Sequence, residues 1–292
     1  MQTISYFILN ELLWSFIGNF LYAIGHPLPL MPAVCFRMDG LIGRLLRTEQ
    51  QRAIYFIVIV ILLFNCCLGF LSTFLYRYVT LAFSSWIARF HRAWGYMYFI
   101  VGHLIISLIV ALLFHMWHLP VDRYPKEDLP ENTENLFCYH PEGIELTIVG
   151  AFFFLTFGGG TFLIALFAGL SYRELMLKRK LMEKKTLLMQ KEILKNLIII
   201  TATAVFLGGL PLAVVVFYFY NGKLPLARNI TSASMMISLN FGTFYAIVIL
   251  IRFKYYRKAV VDMARSVFRR VCNVFTGTSS NAVFSHVSNV KY

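Results

Sequence analysis

Six long runs that are almost free of charge decide what this chain can become. They are Ile4–Ile24, Ala53–Tyr76, Ala93–His118, Leu146–Tyr172, Asn196–Tyr220 and Asn229–Ile251, each about 21 to 27 residues. A helix crossing the ~30 Å hydrocarbon layer needs about 20 apolar residues. A backbone in lipid must also satisfy its own hydrogen bonds, which a helix does within one segment. The runs therefore predict an all-α, polytopic membrane helix bundle with six transmembrane helices. Among the runs only the first carries a full charge, Glu11.

Basic residues orient the bundle. The gaps after the successive runs hold four, three, two, eight and two Lys or Arg, and the tail from Arg252 holds eight. The second, fourth and sixth sets total 19 and the others 8. Positive charge stays in the cytoplasm, so both chain ends are expected inside. Asp122, Glu127, Asp128, Glu131, Glu134 and Glu142 crowd one loop then expected outside. The first outer loop runs against this pattern, with Arg37, Arg44, Arg47 and Arg52 against Asp39 and Glu49.

The chain is 59% apolar, with a mean hydropathy of +0.67, and no polar stretch is long enough for a separate soluble core. Residues 1–252 are read as the transmembrane bundle and 253–292 as a cytoplasmic tail. The net charge of +13 fits cytoplasmic flanks facing anionic lipid, so the bilayer is the expected partner and nucleic acid is not. The start, Met1–Ile24, lacks a basic leader region and contains Asn10 and Glu11, so a cleaved signal peptide is not expected. The two halves share no repeat, which counts against transporters built from internal repeats.

Catalytic chemistry is not visible. His103, His115 and His118 share the third run with no carboxylate or Cys, which favours polar packing or ligand contact over a metal pair. Gly158-Gly159-Gly160 lies within the fourth run, with no Lys-Ser/Thr after it, and reads as close helix approach or a kink rather than a phosphate loop. No enzyme, cofactor or metal is expected. Cys66 and Cys67 fall mid-membrane as packing residues. Cys35 and Cys138 are the two cysteines expected outside, where thiols oxidise, so one disulfide is available. Cys272 follows basic residues in the tail, where palmitoylation competes with a plain thiol. Asn229-Ile230-Thr231 is a glycosylation sequon pressed against the last run.

Glu11 has two readings. An ionisable group in a membrane is costly and by default functional; the alternative is a residue near the inner end that reaches water by snorkelling. On the inner side, Leu177, Leu181 and Leu188 recur among the bases of Arg173–Lys195, as in an amphipathic extension of two membrane helices. In the tail, Tyr256, Val260, Met263, Val267 and Val271 recur every three to four residues. Such a helix would lie along the inner leaflet or dock a cytoplasmic partner.

Several segments, in order, resemble the nematode serpentine chemoreceptors of class H (Srh). Tyr6-Phe-Ile-Leu-Asn-Glu-Leu-Leu-Trp14, then Pro27, Pro29, Pro32 and Gly40-Leu41, resembles that family's second helix and its Pro-rich exit. Tyr76-Arg77-Tyr78 sits where the family has Asn-Arg-Tyr/Phe at the inner end of its third helix. Met189-Gln190-Lys191 and Leu194-Lys195-Asn196-Leu197 resemble the entry to its sixth helix, and Tyr255-Tyr256-Arg257-Lys258 its closing Pro-Tyr-Arg-Lys. Leu75 stands where the family has Glu before its Asn-Arg pair, Tyr255 replaces Pro, and nothing corresponds to the family's first helix. With that helix absent, a seven-helix receptor-like fold would begin inside, as the basic residues require.

The resemblance implies a G-protein-coupled chemosensory receptor, binding a small-molecule cue and coupling to a heterotrimeric G protein. It implies the plasma membrane, at a sensory cilium. Arg77, Tyr78, Gln190 and Arg257 are the expected coupling residues. Pro211 removes one backbone hydrogen bond and is a candidate hinge, or a static kink. His115, Trp117 and Tyr139, near the outer end, are candidate ligand contacts, with interface anchoring as the competing role. Two other readings stay open: a six-helix transporter or channel, which would place further charges along a membrane path, and a structural scaffold.

Overall fold

A computed structural model describes residues 2–83, 92–180, 183–252 and 254–275. Six helical stretches are long and apolar enough to cross a membrane: Tyr6–Gly25, Glu49–Ala82, Met97–Trp117, Ile144–Lys180, Lys184–Tyr220 and Ala227–Arg252. Each contains or closely overlaps one uncharged run. The helices are α1 (Gln2–Gly25), α2 (Glu49–Ala82), α3 (Arg92–Trp117), α4 (Ile144–Leu177), α5 (Lys184–Ala204), α6 (Leu210–Tyr220), α7 (Ala227–Arg252) and α8 (Lys254–Phe275). The fifth span is α5 and α6 joined by a π-helical turn, Val205–Gly209.

Half of the most apolar stretch of α2 is buried, against 6% for α4, so α2 is the central post. Thr48 starts it: the Thr48 hydroxyl accepts from the Gln51 amide, and Gln51 Oε1 accepts from the Thr48 amide, both at 3.2 Å. That reciprocal capping satisfies two amides that open a helix. Along α1, Leu9, Leu13, Phe16 and Phe20 are exposed, while Ile8, Glu11, Ser15 and Tyr22 are buried. The outward face is apolar because its solvent is lipid, so polar groups turn inward.

The uncharged runs carry no sign of one further element. Four short strands, β1 (Pro27–Pro29), β2 (Cys35–Met38), β3 (His118–Leu119) and β4 (Leu136–Tyr139), form an antiparallel sheet in the order β1-β2-β4-β3. It caps the bundle end where α1 and α3 finish and α2 and α4 begin. Proline cannot donate to a ladder, and Pro27 and Pro29 lie on an edge strand. All four residues of β4 are buried. Phe36 and Phe137 join Phe56 of α2 in the core, with Phe36 and Phe56 centroids 4.6 Å apart.

Residues Met1–Ala246 form one compact unit and Ile247–Tyr292 another. In the second, α8 exposes Val260, Met263 and Val267, and Arg265 approaches Asp262 at 4.0 Å. Residues 276–292 lie outside the described residues.

Candidate functional site

Three buried polar or aromatic centres and one open recess organise the first unit. At the end of α2 away from the sheet, Arg77 is only 2% exposed. Its Nη2 donates to the Gln190 carbonyl at 2.6 Å and to Gln190 Oε1 at 3.2 Å, tying α2 to α5. Its Nε and Nη1 are buried with no hydrogen-bond partner. Among the described residues no carboxylate pairs with it. Lys178 Nζ donates to the Leu81 carbonyl close by. Of the other expected coupling residues, Tyr78 stacks on Phe167 of α4 at 5.9 Å. Arg257 is exposed on α8, in the second unit.

In mid-bundle, Glu11 is 2% exposed and does not snorkel. Thr73 Oγ1 of α2 donates to its Oε1 and the Tyr245 hydroxyl of α7 to its Oε2, both at 2.5 Å. The carboxyl thus bridges three helices, a role the snorkelling reading did not allow. Small residues permit this closeness. A Cβ on Gly69 would lie 3.0 Å from Glu11 Cγ, and one on Gly242 would collide with Ser15 and Asn19. Nearby, Asn65 Nδ2 donates to Ser107 Oγ at 2.9 Å, and His103 Nδ1 lies 2.5 Å from Asn65 Oδ1. His103 and Ser107 are therefore polar packing between α2 and α3. Among the described residues no group of three or more His, Cys, Asp or Glu could hold a metal ion.

Pro211 is the second residue of α6, directly after the π-helical turn. Its missing amide removes one backbone donor just where the turn is widened, while the span stays helical throughout. Ser238 of α7 donates to the Gly208 carbonyl at 2.9 Å, meeting one acceptor in the turn.

At the sheet end, Cys35 and Cys138 face one another in register and are joined by a disulfide, with Cα atoms 4.1 Å apart. Tyr139 stacks on Trp117 at 4.6 Å, and Trp117 Nε1 donates to the His140 carbonyl at 2.8 Å. Trp117 and Tyr139 are 1% and 0% exposed, and burial pushes the Tyr139 phenol well above its ordinary pKa. His115, two residues from Trp117 along the helix, is exposed on another face. This corrects the expected ligand trio: Trp117 and Tyr139 are core, and His115 does not meet them at a cavity. The reason is register. Pairing β4 with β2 and β3 turns Tyr139 under the sheet. His118 Nε2 lies 3.6 Å from Glu49 Oε1. Its pKa is lowered by burial first and then by His115 and His140.

Two of the four arginines that run against the charge pattern have local partners. Arg37 pairs with Asp39 at 2.6 Å, and that hydrogen bond raises its pKa. Arg52 donates to the Leu136 and Arg47 carbonyls, both at 3.4 Å.

The recess lies beside the sheet, built from three loops, and has a volume of about 590 Å³. Asp128, Lys223 and Arg228 line it with Met31, Leu224 and Leu226. Asn229 lies on its rim, within the first turn of α7. Thr231 of that sequon is 0% exposed with an unpartnered hydroxyl, while Asn229 itself is exposed. Cys272 is half-buried in the second unit. None of the recess residues except Asn229 was singled out as a site from the sequence, because loops from three separate gaps meet only after folding.

The family model described as serpentine type 7TM GPCR chemoreceptor Srh matches residues 1–266. No curated protein matches the chain.

Proposed function

The chain belongs to the Srh family of serpentine seven-transmembrane chemoreceptors, and from that premise we propose that it detects a small chemical cue at the sheet end and couples to a heterotrimeric G protein at the other. The observation that carries this reading is the Arg77–Gln190 contact. It joins α2 to α5 by hydrogen bonds from a buried guanidinium, at the end toward which 19 of the 27 bases fall. By the positive-inside rule that end is cytoplasmic, with both termini inside, the sheet outside and the chain in the plasma membrane of a sensory cell.

Arg77 then acts as a latch. Holding α5 against α2 keeps the cytoplasmic mouth closed. The π-helical turn and Pro211 sit further along the same span and let α5 move while α6 stays packed. A cue can shift this two-state equilibrium only by its differential affinity for the two states. Once α5 leaves, the guanidinium is free to meet the G protein, with Tyr78, Gln190 and Arg257 as further contacts. Residues 1–252 form the signalling bundle. Residues 253–292 form the tail, in which α8 lies on the inner leaflet and Cys272 is a site for palmitoylation.

The test is Arg77→Ala in cells that report G-protein activation. Coupling is expected to disappear while surface expression persists, because the remaining basic residues still set topology. Normal coupling in the variant would reduce Arg77 to a charge anchor.

A further inference from the structure

We infer that the recess beside the sheet binds a small zwitterion, a molecule with one carboxylate and one ammonium around an apolar side chain, such as an apolar amino acid. This rests on the receptor reading for its biological meaning and on the recess alone for its chemistry.

Volume is the first constraint. At about 590 Å³ the recess falls within the ~300–1,000 Å³ typical of small-molecule sites. Charge is the second. Lys223 comes from the connection into α7, Arg228 from the first turn of α7, and Asp128 from the loop between β3 and β4. Among the described residues none of the three makes an ion pair. Two cations and one carboxylate therefore line a common space with their pairing capacity unspent. A simple organic anion would leave Asp128 unmatched and repelled. A simple amine would leave Lys223 and Arg228 unmatched. A zwitterion is the class that gives both signs a partner, with charge-assisted hydrogen bonds to each.

The apolar lining sets the rest of the ligand. Met31 is buried, and Leu224 and Leu226 are exposed, the latter at 68%. Leu226 holds φ 61, a conformation that a bulky side chain rarely adopts. Its carbonyl accepts the Ile230 amide at 3.0 Å, in the first turn of α7. Strain of this kind concentrates at ligand clamps and switch regions. Here it keeps an apolar group on the wall of the recess, in contact with water. A Cβ on Gly222 would sit 3.0 Å from the Pro32 carbonyl, so the glycine lets this connection close against the Met31–Pro32 turn. A ligand side chain covering Leu224 and Leu226, over the buried Met31, removes that apolar surface from water.

Direct binding to the purified full chain in nanodiscs separates this inference from signalling. The probes are leucine, methionine and phenylalanine, each compared with the carboxylic acid and the amine of the same side chain. At least one amino acid is expected to bind, and to bind at least about tenfold more tightly than either single-charge analogue, as expected for losing a hydrogen bond to a charged group. Asp128→Asn should erase the advantage over the acid. Lys223→Met with Arg228→Met should erase the advantage over the amine. Monodisperse elution and an intact Cys35–Cys138 bond certify each variant as folded. If no amino acid binds at millimolar concentration, or if the acid alone binds as well, the inference is overturned. Arg77→Ala should bind the same probe without coupling. Binding with no coupling even in the unaltered chain would sink the receptor reading and leave the site standing.

Discussion

The two ends of the bundle are closed by different kinds of bond. At the sheet end a disulfide, a four-stranded ladder and a stack of buried rings hold the loops, and none of these is readily exchanged for water. At the opposite end the link from α2 to α5 is the Arg77–Gln190 pair of hydrogen bonds, with Lys178 reaching back to the Leu81 carbonyl. Hydrogen bonds there have a ready substitute, since a guanidinium near headgroups can rehydrate. Net contributions follow that difference: about 0.5–1.5 kcal/mol for an ordinary hydrogen bond, up to about 3 with a charged partner, against 2–5 kcal/mol typical of a native disulfide. A rigid sheet end and a releasable Arg77 end suit the proposed receptor, in which a cue must find a fixed shape and its signal must break something weak.

The largest effect expected is at the sheet end. Cys35→Ser with Cys138→Ser reopens a link between residues 103 apart in sequence. It should cost about 2–5 kcal/mol, seen as earlier thermal unfolding of the purified protein and lower surface expression. If the double variant unfolds where the parent does, ring packing alone closes that end and the contrast between the ends narrows.

Mid-bundle comes next and asks which end it resembles. Glu11→Leu removes the carboxyl that accepts from both the Thr73 and the Tyr245 hydroxyls, leaving Thr73 its bond to the Gly69 carbonyl, at about 1–3 kcal/mol, while Glu11→Gln should keep most of the stability. Equal unfolding temperatures for the parent and both variants would show that the carboxyl bridges nothing.

At the Arg77 end Gln190→Ala removes one side-chain bond and leaves the backbone one, so about 0.5–1.5 kcal/mol is expected. On the proposed latch that bond holds the closed state, so basal G-protein activity should rise. A fall in basal activity, with normal expression, would mean that Gln190 supports the open state instead.

The smallest effect is a pH dependence of the sheet end. The folded chain holds the His118 pKa below its ordinary 6.5, so the unfolded form binds the proton more readily. The contribution of His118 is complete above about pH 6.5 and declines as pH falls below it. Unfolding temperature should drop from pH 7.5 to 5 more steeply in the parent than in His118→Gln. Identical slopes would move the pH sensitivity elsewhere.

Much of this architecture is visible in the chain. Six apolar runs became six spans, and the family resemblance carried by Tyr76-Arg77-Tyr78 and Gln190 agrees with the family match. Thr48 and Gln51 even display the spacing of a capping box before α2. The sheet is different. Its strands run two to four residues, too short for periodicity, and one edge strand contains two prolines. Their alignment comes from the Cys35–Cys138 register and from rings supplied by α2 and α3. The same register explains why Trp117 and Tyr139, polar-tipped aromatics near a membrane surface, turned out to be core.

By itself the sequence determined how many times the chain crosses the membrane and which gaps carry its positive charge. Both are properties of residues next to one another, since lipid tests each span's hydrophobicity and flanking charge locally. The tertiary structure alone decided where the isolated polar groups go. Glu11 meets Thr73 across 62 residues and Tyr245 across 234, and Asp128 shares a recess with Lys223 and Arg228. The Glu11 pairings arise because a group that lipid will not solvate must find its partner wherever helix packing brings one, and the recess because loops far apart in sequence meet at one end of the bundle; no local pattern encodes either distance.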